Sequence, residues 1–201
     1  TVYSTYGGAG GGEGAPLGED TDRDVQFPNV FTHDDGTVYI AYFDSTDDGP
    51  FEGLGEIHIT RSDDGGESIS INERVATFNE PFYRSRNAPF RSWASATPRG
   101  AVSDIDGSVS LVFGGRPSDK PTDDGDVYFA HSTNQGESWS LPKRINDDTK
   151  SAFQFFPALD VGPDGKIHAF FGDFRDSASE ITYHMYYTRS DDGGKTWLPN
   201  S

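Results

Sequence analysis

Arginine and aspartate are the residues of this chain best suited to chemistry, and they gather in four short stretches. The first, Asp44 to Gly55, holds Asp44, Asp47 and Asp48; the second, Gly114 to Asp126, holds Arg116 and Asp119. The third, Gly172 to Glu180, holds Asp173, Arg175 and Asp176, and a fourth, 79–92, adds Tyr83, Arg84, Arg86 and Arg91. A planar guanidinium can grip a carboxylate through two parallel hydrogen bonds, and a carboxylate can act as general acid, general base or hard-cation ligand. Arg175, Arg116, Asp173 and Asp44 are therefore the candidate catalytic groups, and Arg86, Arg91 and Tyr83 the candidate substrate-binding ones. Asp44, Asp47 and Asp48 could hold a calcium ion, as could Asp123 with Asp124, and no other cofactor is required. The plainer alternative for each is an ion pair within its loop or a solvated turn carboxylate. Transition-metal chemistry is disfavoured: there is no cysteine, and the five histidines (His33, His58, His131, His168, His184) show no short paired spacing.

The elements that must position these groups are short strands. Glycine (24) and proline (12) are spread along the chain and no long 3.6-residue periodicity exists, which points to an all-β fold. Three segments share one layout of strand, Gly-containing turn, strand, polar loop, strand and Ser-rich turn: 25–78, 93–147 and 153–201, after an N-terminal strand and Gly-rich link at 1–24 and with 79–92 joining the first two. The register holds: Gly36 to Ser62 is 26 positions, Gly107 to Ser132 is 25 and Gly165 to Ser190 is 25. Val38, Ile40 and Tyr42 alternate with Tyr39 and Ala41, whereas Ile167 to Phe171 is nearly continuous, the mark of a strand covered on both faces.

The Ser-rich turns carry a resemblance to a known superfamily. Ser190, Asp192, Gly194, Thr196 and Trp197 match Ser-x-Asp-x-Gly-x-Thr-Trp, the Asp-box or BNR motif of sialidase (neuraminidase) propellers; Ser132, Asn134, Gly136, Ser138 and Trp139 match with two replacements, and Ser62, Asp64, Gly66 and Ser68 with Ile69 in place of Trp. Three matches in register are specific where one would be weak. The chain thus resembles part of a sialidase-type β-propeller, about three four-stranded blades with Asp-box turns. Side chains of Ser, Asp and Thr bond to turn backbone and Gly accepts positive φ, so the box is a folding staple, and it also occurs in non-enzymatic propellers. The resemblance implies a secreted or cell-surface protein that contacts glycans, with an arginine triad for a sugar carboxylate, an acidic acid/base residue and a Tyr/Glu nucleophile pair. The family's Arg-Ile-Pro motif is absent, the nearest analogue being Arg23 ahead of Phe27 and Pro28. The competing class is a non-catalytic scaffold or protein-binding module of a larger surface assembly.

In such a meander the Asp-box turns lie at one end, and the four Arg- and Asp-bearing stretches at the other, upper end, where function is expected, with Arg175 and Arg116 converging on one axial cavity with Asp44 or Asp173. The aromatic tracts Phe153, Phe155, Phe156 and Phe170, Phe171, Phe174 are expected in packing between blades. A net charge of −17, from 33 acidic against 16 basic residues, excludes nucleic acid as a natural partner, and no apolar run is long enough for a membrane span. Three blades leave open faces, so the chain is expected to be part of a longer protein or to complete a ring or stack with other chains. Ser201 comes four residues after Trp197, so the third blade should lack its outer strand, a place that the alternating segment Thr1 to Tyr6 could fill.

Overall fold

The computed structural model describes residues 25–45, 54–79, 96–116, 125–177 and 182–201. They form three antiparallel sheets and no helix. The first sheet runs β1 (Val25–Thr32), β2 (Val38–Ser45), β3 (Leu54–Ser62) and β4 (Ile71–Asn79) in spatial order. The second repeats that order with β5 (Arg99–Val102), β6 (Val109–Gly115), β7 (Asp126–Ser132) and β8 (Lys143–Arg144). The third contains β9 (Gln154–Val161), β10 (Ile167–Asp173) and β11 (His184–Ser190). The fold is all-β and matches a partial propeller.

The period-two pattern decides which residues stack the sheets. Tyr39, Ala41 and Phe43 of β2 face the second sheet with Ile57 and Ile59 of β3, meeting Val109, Leu111 and Phe113 of β6. The opposite face of the second sheet, Val112, Val127 and Phe129, meets Ile167, Ala169 and Phe171 of the third. The inner strands β1, β5 and β9 touch in sequence, each being the first strand of its sheet.

Three Ser-x-Asp/Asn-x-Gly turns close the lower end with one hydrogen-bond set. The hydroxyl of Ser62, Ser132 or Ser190 donates to the side chain two residues on (2.7, 2.9 and 2.8 Å) and accepts the amide N–H of Gly66, Gly136 or Gly194 (2.8, 2.9 and 2.8 Å). Asp64, Asn134 and Asp192 then accept the N–H of Ser68, Ser138 and Thr196. Gly194 has φ +83°, and a β-carbon there would sit 2.0 Å from the Phe129 ring, so glycine is required on both counts.

The third sheet has three strands, in keeping with the expectation that this repeat lacks an outer strand. No fourth strand is assigned there, yet Leu198 N–H donates to Arg189 O (2.9 Å), and Ser201 exchanges backbone bonds with Tyr187 (3.0 and 2.9 Å). The chain turns straight back onto β11 after Trp197, laying 198–201 in the fourth-strand place. Thr1 to Tyr6 lie outside the described residues.

Candidate functional site

Each inner strand enters its sheet through the same defect. Gln26 pairs with Phe43 and Asn29 with Ala41, leaving Phe27 and Pro28 opposite Tyr42 alone. Phe155 pairs with Gly172 and Ala158 with Phe170, leaving Phe156 and Pro157 opposite Phe171. In the second sheet Ala96 O accepts Gly114 N–H (2.8 Å) and Arg99 pairs with Val112, leaving Thr97 and Pro98 opposite Phe113. Phe27, Thr97 and Phe156 have φ of 56°, 23° and 48°, left-handed values that cost about 1–3 kcal/mol each and persist only where surrounding packing fixes them. These bulges interrupt the ladder near the upper rim; in the first and third sheets two more pairs, Gln26 with Phe43 and Val25 with Asp44, Phe155 with Gly172 and Gln154 with Asp173, follow before the strand ends. Their sequence signal was Pro28, Pro98 and Pro157 in register.

Behind the rim, between the second and third sheets, lies a buried polar cluster. Asn146 Nδ2 donates to Asp126 (2.6 Å), Asp148 (2.7 Å) and Gln154 (2.9 Å), while its own oxygen accepts Val127 N–H (2.9 Å). Gln154 passes the chain of bonds to Asp173 (3.1 Å). Asp173 also accepts the backbone N–H of Arg175 (2.6 Å) and its Nε–H (2.7 Å). Burial pushes the Asp173 carboxyl above the ordinary aspartate range, outweighing the Arg175 and Gln154 hydrogen bonds that hold it down.

Arg175 is a clasp. Its side chain is 12% exposed, and besides Asp173 it donates to Asp147 (2.6 Å) and Asn200 (3.0 Å), with its guanidinium 4.2 Å from the centre of the Tyr186 ring. Asp147 and Asn200 are themselves joined by two bonds, the backbone N–H of each donating to the side-chain oxygen of the other, so the arginine ties the tail of the second repeat to the end of the third. Burial alone would lower the Arg175 pKa, but the hydrogen bonds that it donates to Asp147 and Asp173 raise it.

At the mouth of this region sits an accessible trio of which sequence reasoning had singled out Asp176 alone. Asp176 accepts the Tyr186 hydroxyl (2.5 Å) and faces His184 Nδ1 (3.1 Å). Both aromatic residues project from one face of β11 because they are two positions apart. The hydrogen bond from Tyr186, then that from His184, holds the Asp176 carboxyl below its usual range. The same bond to Asp176 pushes the Tyr186 phenol up to about 12. At neutral pH this is an ionised carboxylate beside a protonated phenol and an imidazole, a set that can accept and donate hydrogen bonds to hydroxylated ligands.

The other expected residues are dispersed. Arg116 lines a groove of about 390 Å³ between the first and second sheets, with Leu54, Thr77, Phe78, Phe113 and Tyr128, and its N–H donates to Asn79 O (2.9 Å). It does not meet Arg175, which occupies the next sheet interface; the expected convergence on one axial cavity is absent among the described residues. Asp44 is buried on the face of the first sheet that points away from the second, register partner of Glu56. Burial would raise Glu56, but hydrogen bonds from His58 (2.9 Å) and Arg74 (2.8 Å) leave it lowered. Arg86, Arg91, Tyr83, Asp47, Asp48, Asp119, Asp123 and Asp124 lie outside the described residues, among which no group of three metal-ligating side chains occurs. Asp64, Asn134, Asp192 and their turn partners are at the opposite end. The aromatic tracts divide: Phe153, Phe155, Phe171 and Phe174 are buried, whereas Phe156 and Phe170 are exposed.

No protein-family model matches this chain, and no curated protein sequence matches it. Solved structures do. A Hadza microbial sialidase aligns with a TM-score of 0.57 at 18% identity over 86% of this chain and 36% of its own. An α-L-arabinofuranosidase from Fusarium graminearum aligns at 0.56 and 16% identity over 88% and 48%. A family 117 glycoside hydrolase from the marine bacterium Zobellia galactanivorans aligns at 0.52 and 16% identity over 89% and 55%. These likenesses show the fold alone, that of a partial β-propeller, and the chain spans about a third to a little over half of those proteins.

Proposed function

We propose that this chain is part of a secreted or cell-surface propeller that contacts glycans at its upper rim, with exo-glycosidic hydrolysis of sialidase type as the activity it would carry in a complete ring. The observation that carries the reading is the exposed Asp176 carboxylate with Tyr186 and His184, backed by Arg175, at the end of the sheets away from the Ser-rich turns. Sugar hydroxyls are recognised by such paired donors and acceptors, and a lowered carboxylate keeps its acceptor role through the neutral range. The likeness of the fold to glycoside hydrolases supports the same class of ligand.

Its bond to Asp176 keeps the Tyr186 phenol protonated at neutral pH, and in this reading Tyr186 is a hydrogen-bond donor. A second reading, a non-catalytic binding or scaffold module, is favoured by Arg175, whose three intramolecular acceptors occupy the arginine that would grip an acidic sugar. The two separate in one experiment: chromogenic sialosides and arabinosides are offered together with a glycan array. Turnover reduced by Asp176→Asn supports the enzyme reading. Array binding reduced by the same substitution, without turnover, supports the binding module. An Asp176→Asn protein identical to the parent in both assays overturns the rim as the ligand site.

A further inference from the structure

The joint between the first and second sheets and the joint between the second and third share one register, and at the lower end they differ in three side chains. Strand pairing makes Tyr39 and Arg61 of the first sheet the counterparts of Ser110 and His131 of the second. Each pair faces the Ser-rich turn of the next sheet, where Gln135 and Gly193 stand immediately before Gly136 and Gly194. The first joint is filled. Tyr39 is buried against Gly136, Arg61 Nη1–H donates to Gln135 O (2.9 Å), and the Gln135 side chain lies over Gly107. In the second joint all three side chains are smaller, and a cavity of about 240 Å³ lies among Ser110, His131 and Gly193.

The walls of this cavity carry both polar and apolar groups. Ser110 Oγ and His131 Nδ1 are 3.1 Å apart, and His131 Nε2 faces Gly193. Val161 and Ile167 of the third sheet form an apolar wall, and Ile105 reaches across to Gly165. Asp106 adds a carboxylate. Burial would raise its pKa, but hydrogen bonds from Ser108 and Ser103 leave it lowered, so the group is ionised at neutral pH. Burial, helped by Lys195, pushes His131 below the ordinary histidine range and outweighs Asp106, which pulls it up. The other carboxylate at the cavity, Asp164, is paired with Lys166. The first joint carries its own guanidinium, that of Arg61, held 2.8 Å from Asp63. The second joint has an uncharged imidazole in that place and a carboxylate beside it.

We propose that the lower cavity between the second and third sheets binds an alkylguanidinium group from outside the chain. The planar fork donates to the Asp106 carboxylate and to Ser110 Oγ, and the methylene stem covers Val161 and Ile167, the division of polar head and apolar stem that arginine makes on protein surfaces. The net charge of −17 draws such a cation toward the chain.

The test is nuclear magnetic resonance of the 201-residue chain with labelled histidines, titrated at low millimolar concentration with butylguanidinium, butylammonium and a short arginine-containing peptide. Butylguanidinium should shift the His131 imidazole signals saturably and leave those of His184 at the rim in place. A peptide that binds as tightly identifies an arginine side chain of a partner; a peptide that does not bind identifies a free small cation. Asp106→Asn keeps the acceptor for Ser108 N–H but removes the charge, and should weaken binding about tenfold or more. Gly193→Gln puts into the cavity the side chain that the first joint has, at a backbone φ of 70° where Gln135 itself adopts 57°, and should weaken binding as much with the fold kept. If Asp106→Asn fails to fold, Gly193→Gln decides. His131 signals unmoved by butylguanidinium, equal binding of butylammonium, or shifts that Gly193→Gln leaves unchanged would overturn the proposal.

Discussion

Replacing Gly194 by alanine separates backbone strain from sheet-to-sheet packing, because Gly66 provides the same backbone without the neighbour. Both have left-handed φ, +83° and +98°, where a β-carbon costs about 1–2 kcal/mol. At Gly66 nothing lies within 4 Å, so strain is the whole effect. At Gly194 the new carbon would meet Phe129 Cε1 at 2.0 Å. The ring cannot step aside, since Trp197 abuts it edge-on and His131 stacks on it at 6.0 Å, and the Gly194 amide is held by Ser190 (2.8 Å). Overpacking of that kind adds about 1–3 kcal/mol, giving roughly 2–5 kcal/mol in total. At about 2–4 °C per kcal/mol for a domain of this size, Gly194→Ala should lower Tm by about 4–20 °C and Gly66→Ala by about 2–8 °C. Thermal unfolding followed by near-ultraviolet circular dichroism reads both. Equal losses would refute the packing of the third turn against the second sheet.

Acid should act through the turns: hydrogen bonds from Ser68 and Thr196 depress Asp64 and Asp192 to about 2, so their contribution is present above the ordinary aspartate pKa and is lost as pH falls toward 2. Because Asn134 holds the same turn without titrating, its oxygen accepting from Ser132 Oγ–H and Ser138 N–H while its Nδ2 donates to Ser138 Oγ, Asp64→Asn with Asp192→Asn should flatten the Tm profile between pH 4 and pH 2, and an unchanged profile would count against this origin. Arg175→Ala leaves Asp173 buried without its guanidinium partner and should cost about 3–5 kcal/mol in urea unfolding, whereas a loss below about 1 kcal/mol would mean that the clasp bears little. Tyr186→Phe removes the donor to Asp176 and should lower glycan affinity several-fold with Tm nearly unchanged; the reverse pattern would make the trio structural.

The parts legible in the sequence were those set by local chemistry. Ser-x-Asp-x-Gly turns demand particular residues at fixed offsets, so their positions marked the sheet ends before any coordinates. The Asp173-Phe174-Arg175-Asp176 run was legible as a charged cluster at the rim, but its meaning was not. Asp147 and Asn200 stand 28 and 25 positions from Arg175, and no periodicity links them. The same holds for Gln154, which reads as an ordinary polar residue and proves to bridge two buried carboxylate neighbourhoods. Tyr186 and His184 stand in the aromatic run of β11, where alternation separates them from Met185 but only strand pairing sets them on the face of Asp173. The X-Pro bulges could have been found: Pro28, Pro98 and Pro157 sit at one register position of three repeats, and a proline within a strand marks an edge strand or a bulge.

The rim reading is tested most directly by a crystal structure of the chain soaked with a sialoside or an arabinoside. The account predicts ordered sugar at the upper end of the third sheet, with ring hydroxyls hydrogen-bonded to the Asp176 carboxylate and to His184 or Tyr186. Sugar seated on the Ser-rich turns, or an Asp176 pair left untouched while the ligand binds elsewhere, would contradict it.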